Sequence, residues 1–351
     1  KNLQSVVYVS TAYSFCVKKD VEEKFYKPPL KSEELLAVVD TFNDQTLQTI
    51  TPQIIGDWPN TYVYTKSIAE DIVNSYWNTL PIAMIRPSVI VATDRDPVPG
   101  WIDNYIGATG VFVGVSIGLI RTLHCRSNYV SDIVPVDFVV NSIIAAASRV
   151  SNHRSNPEEK KQIYHCATSF QNPLTWDDCM NTGAKHAADF PTVFAVWRYL
   201  FLPCSNRFLY LFLHYTLHIV PAYIVDFCSL CIGRKPQLVK GYQKISKLLD
   251  VLAYFSTRQW IFPNHNTQQL WNSLNEYDQA CYNFDIKALN WNSYFYNFAR
   301  GGRIYLLKDP LETVPQGLKK QFRLKVAHYV ILFFLALLCL QFIKYVLVLI
   351  F

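Results

Sequence analysis

The chain has 351 residues, enough for one or two domains, and half of them are hydrophobic. Only 17% are charged, below the roughly 25% usual in soluble domains, which points to a membrane-associated protein. The net charge of +6 comes without a basic tract interleaved with aromatics, so no nucleic-acid partner is read, and nine irregularly spaced cysteines exclude a disulfide scaffold.

Ser5-Val6-Val7-Tyr8-Val9-Ser10-Thr11 reads as a buried parallel strand, β-branched and aromatic, that ends in two hydroxyls. Open α/β sheets bind ligands at the carboxyl ends of their strands, so Ser10 and Thr11 fall at a ligand edge. A long, mostly polar insertion follows. Pro59, with an N-cap at Asn60 or Thr61, then predicts a helix running through Trp77. In that helix Tyr62 and Lys66 are four residues apart on one face. An ammonium beside a phenol favours the phenolate and lowers its pKa, which suits proton transfer near neutral pH. Tyr64, the rival tyrosine, is two residues from Lys66 and faces away. Residues 81–88 read as a second strand stopped by Pro87. Strand, hydroxyl, Tyr-x-x-x-Lys helix, strand and Arg86-Pro87-Ser88 describe the second half of a doubly wound nucleotide-binding domain.

Residues 132–147 read as a short strand or turn followed by a helix, 151–161 as a surface loop and 162–167 as a last strand. The α/β part therefore covers 1–183. Residues 190–310 read as helical and aromatic-rich. Within them 197–232 is apolar but interrupted by His214, His218, Pro221 and Asp226. Asp226 makes a true span costly, so a monotopic or tunnel-forming helix pair is expected, with a helical core as the equal alternative. His214 and His218 are read as packing or interfacial residues, and no metal site is assigned. Cys228 and Cys231 form a C-x-x-C in this apolar stretch and are expected to be buried thiols. Residues 314–320 read as a linker and 326–351 as a transmembrane anchor, since a span needs about 20 apolar residues. Lys319, Lys320, Arg323 and Lys325 precede the anchor, and the positive-inside rule then keeps the preceding part cytosolic.

Several stretches together carry a family likeness: Val9-Ser10-Thr11-Ala12-Tyr13, 58–66, Ile85-Arg86-Pro87-Ser88, 99–104, 132–137, 217–240 and 249–260. In these the chain resembles the alcohol-forming fatty acyl-CoA reductases of the extended short-chain dehydrogenase/reductase superfamily, with an insect-like flavour. The resemblance implies an α/β fold containing the C-terminal half of a Rossmann-like doubly wound domain, then a mainly helical domain and a C-terminal transmembrane helix. It implies NADPH as cofactor, long-chain fatty acyl-CoA as substrate, membrane lipid as partner, and the endoplasmic reticulum ahead of the peroxisome.

By the same resemblance, Tyr62 would protonate the developing oxyanion and Lys66 would hold the tyrosine pKa down and bind the nicotinamide ribose. Thr11, or second to it Ser10, would hydrogen-bond the substrate oxygen. Arg86, Pro87 and Ser88 would shape the nicotinamide pocket, with a structural ion pair as the alternative for Arg86. Cys16 needs no catalytic role. The family's glycine-rich phosphate turn would lie upstream of the first strand, and the glycines here lack the G-x-G-x-x-G spacing. The chain is therefore read as a fragment without the first half of its nucleotide fold, and the activity of that fragment alone is in question. Two other readings share the pattern: another membrane-bound extended short-chain dehydrogenase acting on a sterol or similar substrate, and a non-catalytic acyl-binding membrane protein.

Overall fold

The computed structural model describes residues 3–152 and 162–350. In chain order the elements are β1 (Val6–Val9), α1 (Ser32–Thr41), α2 (Asp44–Ile55), α3 (Thr61–Ser75), β2 (Ile82–Pro87), β3 (Val89–Val91), α4 (Ala108–Ser116), β4 (Thr122–His124), β5 (Ile133–Pro135), α5 (Val136–Asn152) and β6 (Gln162–Cys166). There follow α6 (Trp176–Ala187), β7 (Leu202–Cys204), α7 (Arg207–His214), α8 (Val220–Cys231), α9 (Leu238–Ser256), α10 (His265–Asn272), α11 (Glu276–Cys281), α12 (Trp291–Gly301) and α13 (Val314–Ile350). The polar insertion after β1 holds α1 and α2. The loop expected at 151–161 lies outside the described residues from 153 onward, and Ser151 and Asn152 finish α5.

The strands β1, β2 and β6 form a parallel sheet in the order β1-β2-β6, with Val9 opposite Ile85 and Ile85 opposite Tyr164. All six residues of β2 are buried, as befits a central parallel strand covered on both faces. Two further parallel pairs, β3–β5 and β4–β7, extend the α/β part toward the helical one. The main core runs across both: Ile85, Ile133, Phe138 and Tyr164 pack with Phe284, Tyr294, Phe295 and Phe298. Where α12 ends, the α-carbon of Gly301 lies against the Gly100 carbonyl, and a Cβ there would collide with it.

A buried ion pair pins α3 to this sheet. Arg86 is 0% exposed and Glu70, from α3, is 1% exposed. Arg86 donates from Nη2 to Glu70 Oε2 at 2.6 Å and from Nε to Oε1 at 3.0 Å. It also donates to the carbonyls of Glu22 and Lys24, each at 2.9 Å. His165 of β6 lies 3.3 Å from Nη1 of Arg86 through its Nε2, and its Nδ1 donates to the Pro263 carbonyl at 2.8 Å. Only the neutral Nδ1–H tautomer satisfies both contacts. Burial, and then the Arg86 charge, hold the His165 pKa down at about 3. Glu23 accepts from the His165 and Asn266 backbone N–H groups, and burial pushes its pKa up to about 7.

The helix α13 is continuous from Val314, so residues 314–320 are not a linker. Pro315 sits in the first turn, where its missing N–H has no helical partner to lose. The start of α13 is docked: Lys320 Nζ donates to the Val193 carbonyl, and Trp197 Nε1 donates to His328 Nδ1 at 3.3 Å. Beyond that the helix is bare. It and the stretch 207–231 are, among the described residues, the two helices long and apolar enough to cross a membrane.

Gly301→Ala should cost roughly 1–3 kcal/mol of stability, since two backbones must part to admit the methyl group; chemical denaturation in detergent measures it. Arg86→Ala should cost more, about 3–5 kcal/mol, because it strands Glu70 as a buried, unpaired charge. The pH profile carries a separate signature. The folded pKa of His165 is depressed from 6.5 to about 3, so its contribution is complete above pH 6.5 and is lost as pH falls toward 3. Glu23, raised from 4.5 to about 7, acts in the opposite sense between those values. Below pH 4.5 Glu23 no longer offsets the loss from His165, and melting temperatures of His165→Gln should fall less steeply there than those of the parent.

Candidate active site

The carboxyl end of β1 turns directly into a 3₁₀ turn, Ala12–Phe15, with Thr11 as its N-cap. Thr11 Oγ1 accepts from the Tyr13 N–H at 3.3 Å and reaches the Pro87 carbonyl at 3.5 Å, so it bridges the ends of β1 and β2. Of the two caps expected for α3, Asn60 is the one used: its side chain accepts from the Val63 N–H at 3.1 Å. That places Tyr62 in the first turn, with Val63 and Tyr64 buried behind it. Tyr62 itself is 56% exposed. Tyr64 turns into the core, its ring 5.8 Å from that of Trp58.

Tyr62 and Thr11 line the same cavity. Desolvation raises the pKa of Tyr62, and the Thr11 hydroxyl pulls it the other way. The lowering expected from Lys66 is absent. Lys66 Nζ donates to the Val9 carbonyl at 2.9 Å and lies 5.3 Å from the centre of the Tyr8 ring, so its charge is spent on the end of β1 and not on the phenol. Tyr62 is accordingly held as the neutral phenol, a proton donor.

Two residues expected at the ligand edge are turned inward. Ser10 Oγ donates to Glu70 Oε1 at 2.5 Å, joined there by Ser14 Oγ at 2.8 Å. Arg86 is wholly committed to the same carboxylate, to two carbonyls and to His165, so the structural ion pair, and not a nicotinamide-pocket role, is what the structure gives it. Glu70 was missed in the sequence. Its only signal was its place one turn beyond Lys66, and acidic residues at such helix positions are ordinarily solvated. Cys16 is buried with its thiol pushed up to about 12, a protonated and unreactive state.

Thr11, Tyr62 and Ser88 stand on the wall of a cavity of ≈ 490 Å³. Ser88 Oγ is buried and has no hydrogen-bond partner among the described residues. The rest of the lining is mostly apolar and comes from both halves of the chain: Val111 from α4, Met180 from α6, and Leu252 and Phe255 from α9, with Trp260 beyond. A cavity of this size, apolar with a few convergent polar groups at one end, is what small-molecule sites look like. Asp132 also touches it, held at φ 45° by the Thr168 and Ser169 N–H groups that its carboxylate accepts at 2.8 and 3.2 Å, with burial raising its pKa.

The histidines of the apolar stretch form a hydrogen-bond chain. His218 Nε2 accepts from the Arg121 N–H at 2.8 Å, which leaves its Nδ1 to donate to His214 Nδ1 at 3.1 Å and His214 Nε2 to donate to Ser246 Oγ at 2.9 Å. Cys228 and Cys231 are exposed, contrary to the expectation of buried thiols, because the stripe of this helix that packs on the protein carries Asp226 and not the cysteines.

Two family models, each described as a male sterility protein, match residues 1–143 and 217–309. The chain is 35% identical to "Fatty acyl-CoA reductase wat" of Drosophila melanogaster over 328 residues, 93% of this chain and 63% of that protein. It is 34% identical to "Fatty acyl-CoA reductase 1" of Homo sapiens over 331 residues, 94% of this chain and again 63% of the relative. It thus spans a little under two thirds of the length of these curated relatives. Among solved structures, the terminal R domain of the myxalamid PKS-NRPS pathway aligns over 86% of this chain and 58% of its own, at a TM-score of 0.46 and 12% identity. Likeness in sequence that runs unbroken through the α/β sheet and the helical part, at about a third identity, makes the chain a member of the fatty acyl-CoA reductase family.

Proposed function

We propose that the chain carries the proton-donating and acyl-binding half of an NADPH-dependent reductase. It converts a long-chain fatty acyl-CoA to the alcohol, with release of coenzyme A and an aldehyde on the way. The observation that supports this most is the placing of the Tyr62 phenol and the Thr11 hydroxyl at one end of an apolar cavity built by both parts of the chain.

The residues present fit the reducing end of a nicotinamide cofactor. Ser88, at the carboxyl end of the central strand, has a buried hydroxyl with no partner among the described residues, and Pro87 and Lys66 border the same strand ends. Ser88 would hold the carboxamide and Lys66 the ribose hydroxyls. No glycine-rich phosphate turn stands among the described residues. The cofactor, when bound, would supply one hydride to each of the two reductions, so two molecules of it are consumed for each alcohol formed.

Thr11 donates a hydrogen bond to the thioester oxygen and stabilises the charge that grows there. Tyr62 gives that oxygen its proton, which its raised pKa keeps available at neutral pH. The resulting hemithioacetal loses the coenzyme A thiol by breaking the C–S bond, and the carbonyl re-forms as an aldehyde. Thr11 and Tyr62 repeat their roles on the aldehyde oxygen to give the alcohol. The apolar lining from α4, α6 and α9 takes the acyl chain. The C-terminal helix serves as a single-pass anchor, with Lys319, Lys320, Arg323 and Lys325 keeping the catalytic part cytosolic, at the endoplasmic reticulum in preference to the peroxisome.

Tyr62→Phe in the complete protein should lower alcohol formation from NADPH and a C16 or C18 acyl-CoA by roughly 10²- to 10⁴-fold with the fold intact, read by mass spectrometry of membrane extracts. Undiminished turnover would remove Tyr62 as the donor, and no alcohol from the parent would leave the non-catalytic acyl-binding reading. Met180→Trp, which fills the cavity body, should shift the preferred acyl chain toward shorter lengths in the same assay.

A further inference from the structure

The helix formed by α7, a π-helical turn at Tyr215–Ile219 and α8 has two unlike faces. Its buried stripe is Tyr210, His214, His218, Ala222 and Asp226, each four residues after the last. An α-helix with about 3.6 residues per turn would let such a stripe drift, and the wider π turn brings it back into line. The opposite face is large, apolar and bare: Phe208 is 83% and Phe227 67% exposed, with Phe212, Tyr223 and Leu230 between and beyond them.

This stretch is long enough to cross a bilayer, yet its polar bonds bind it sideways to the protein. Asp226 accepts the N–H groups of Gln237, Leu238 and Val239 at 2.9–3.0 Å and so caps the start of α9. The His218–His214–Ser246 chain ties the same stripe to the middle of α9. A crossing helix would have to give up all of these.

Beside the apolar face, α7, the π-helical turn and the start of α8 enclose with α9 a groove of ≈ 790 Å³ that carries Tyr215, Tyr223, Lys240, Lys244 and Lys247. The three lysines are exposed, share one face of α9, and have no ion-pair partner among the described residues. Like charges three and four residues apart on a helix repel, so an anion there would relieve them. The one acid in the groove, Asp250, is already held by Arg207 at 2.9 Å.

We infer that this face is a membrane-docking surface: α7–α8 lies flat in the surface layer of the bilayer, and Lys240, Lys244 and Lys247 rest on the phosphates of anionic lipids. Aromatic and aliphatic side chains on one side with cations at the border are the composition of an interfacial helix. The surface is independent of the reaction proposed above.

The full chain is reconstituted in vesicles of phosphatidylcholine with or without phosphatidylserine, with Cys228, Cys231, Cys281 and Cys339 replaced by serine. A nitroxide is placed at Phe212→Cys or Phe227→Cys, and its depth is read from collisions with oxygen and with a water-soluble nickel chelate. A flat helix puts both labels at one depth, about 5–10 Å inside the boundary. Embedding should be greater with phosphatidylserine, and Lys240→Gln/Lys244→Gln/Lys247→Gln should lose that gain while melting at the parent temperature. Labels at water level, or depths differing by about 20 Å as a crossing helix requires, would overturn the proposal. So would displacement by free coenzyme A, which would assign the lysines to a soluble phosphate.

Discussion

Almost everything that places the site depends on the buried pair of Arg86 and Glu70. An arginine inside a parallel sheet is tolerable only if each of its donors is met, because an unpaired charge there costs several kcal/mol. Glu70 meets two of them from α3, the helix whose first turn carries Tyr62. The same carboxylate gathers Ser10 and Ser14, which fixes the turn that presents Thr11. The positions of Thr11 and Tyr62 are thus consequences of one charge neutralisation two turns below them. The remaining donors of Arg86 hold the Glu22 and Lys24 carbonyls and His165, and through His165 the network reaches Pro263 in the helical part.

The helical part is therefore a structural component of the site, beyond merely covering it. The ring of Tyr13, two residues after Thr11, stands edge-on to Phe255, Trp260 and Phe262 at 5.2–5.3 Å. Trp260 Nε1 donates to the Cys16 carbonyl at 2.8 Å, on the same turn. Aromatic edge contacts of this kind add about 0.5–1.5 kcal/mol each beyond area burial. The turn that bears the polar end of the cavity is packed by the residues that form its apolar end, so neither end is complete without the other.

What the sequence made legible follows from local rules. The first strand, the Tyr62 helix and the Arg86 strand fall within two residues of their expected places, because β-branched runs and an Asn cap act locally. The shared face of Tyr62 and Lys66 was likewise a matter of helix pitch. What each side chain meets was not legible. Whether Arg86 faces a ligand or a carboxylate depends on Glu70 arriving from another element. Whether Lys66 reaches the phenol depends on the free Val9 carbonyl at the end of β1. The 314–320 stretch was misjudged for a different reason. Pro315 stands in the first turn of α13, where proline begins a helix as readily as it ends one. Cys228 and Cys231 were placed by composition, and composition does not say which stripe of an apolar helix packs inward.

The helix α9 carries two environments, one after the other along its length. Leu248, Val251, Leu252 and Phe255 line the cavity, while Lys240, Lys244 and Lys247, nearer the start of the helix, line the groove against α7 and the π-helical turn. One helix thus runs from the surface assigned here to the bilayer into the apolar lining of the site. A long-chain thioester partitions its chain into lipid and leaves its charged carrier at the phosphates. For the substrate proposed above, docking α7–α8 at that boundary would bring the cavity wall to the depth at which its chain lies. The buried Asp226, which in the sequence made a true span costly, is what favours this geometry: by capping α9 it holds the helix against the protein and leaves its far, apolar face exposed.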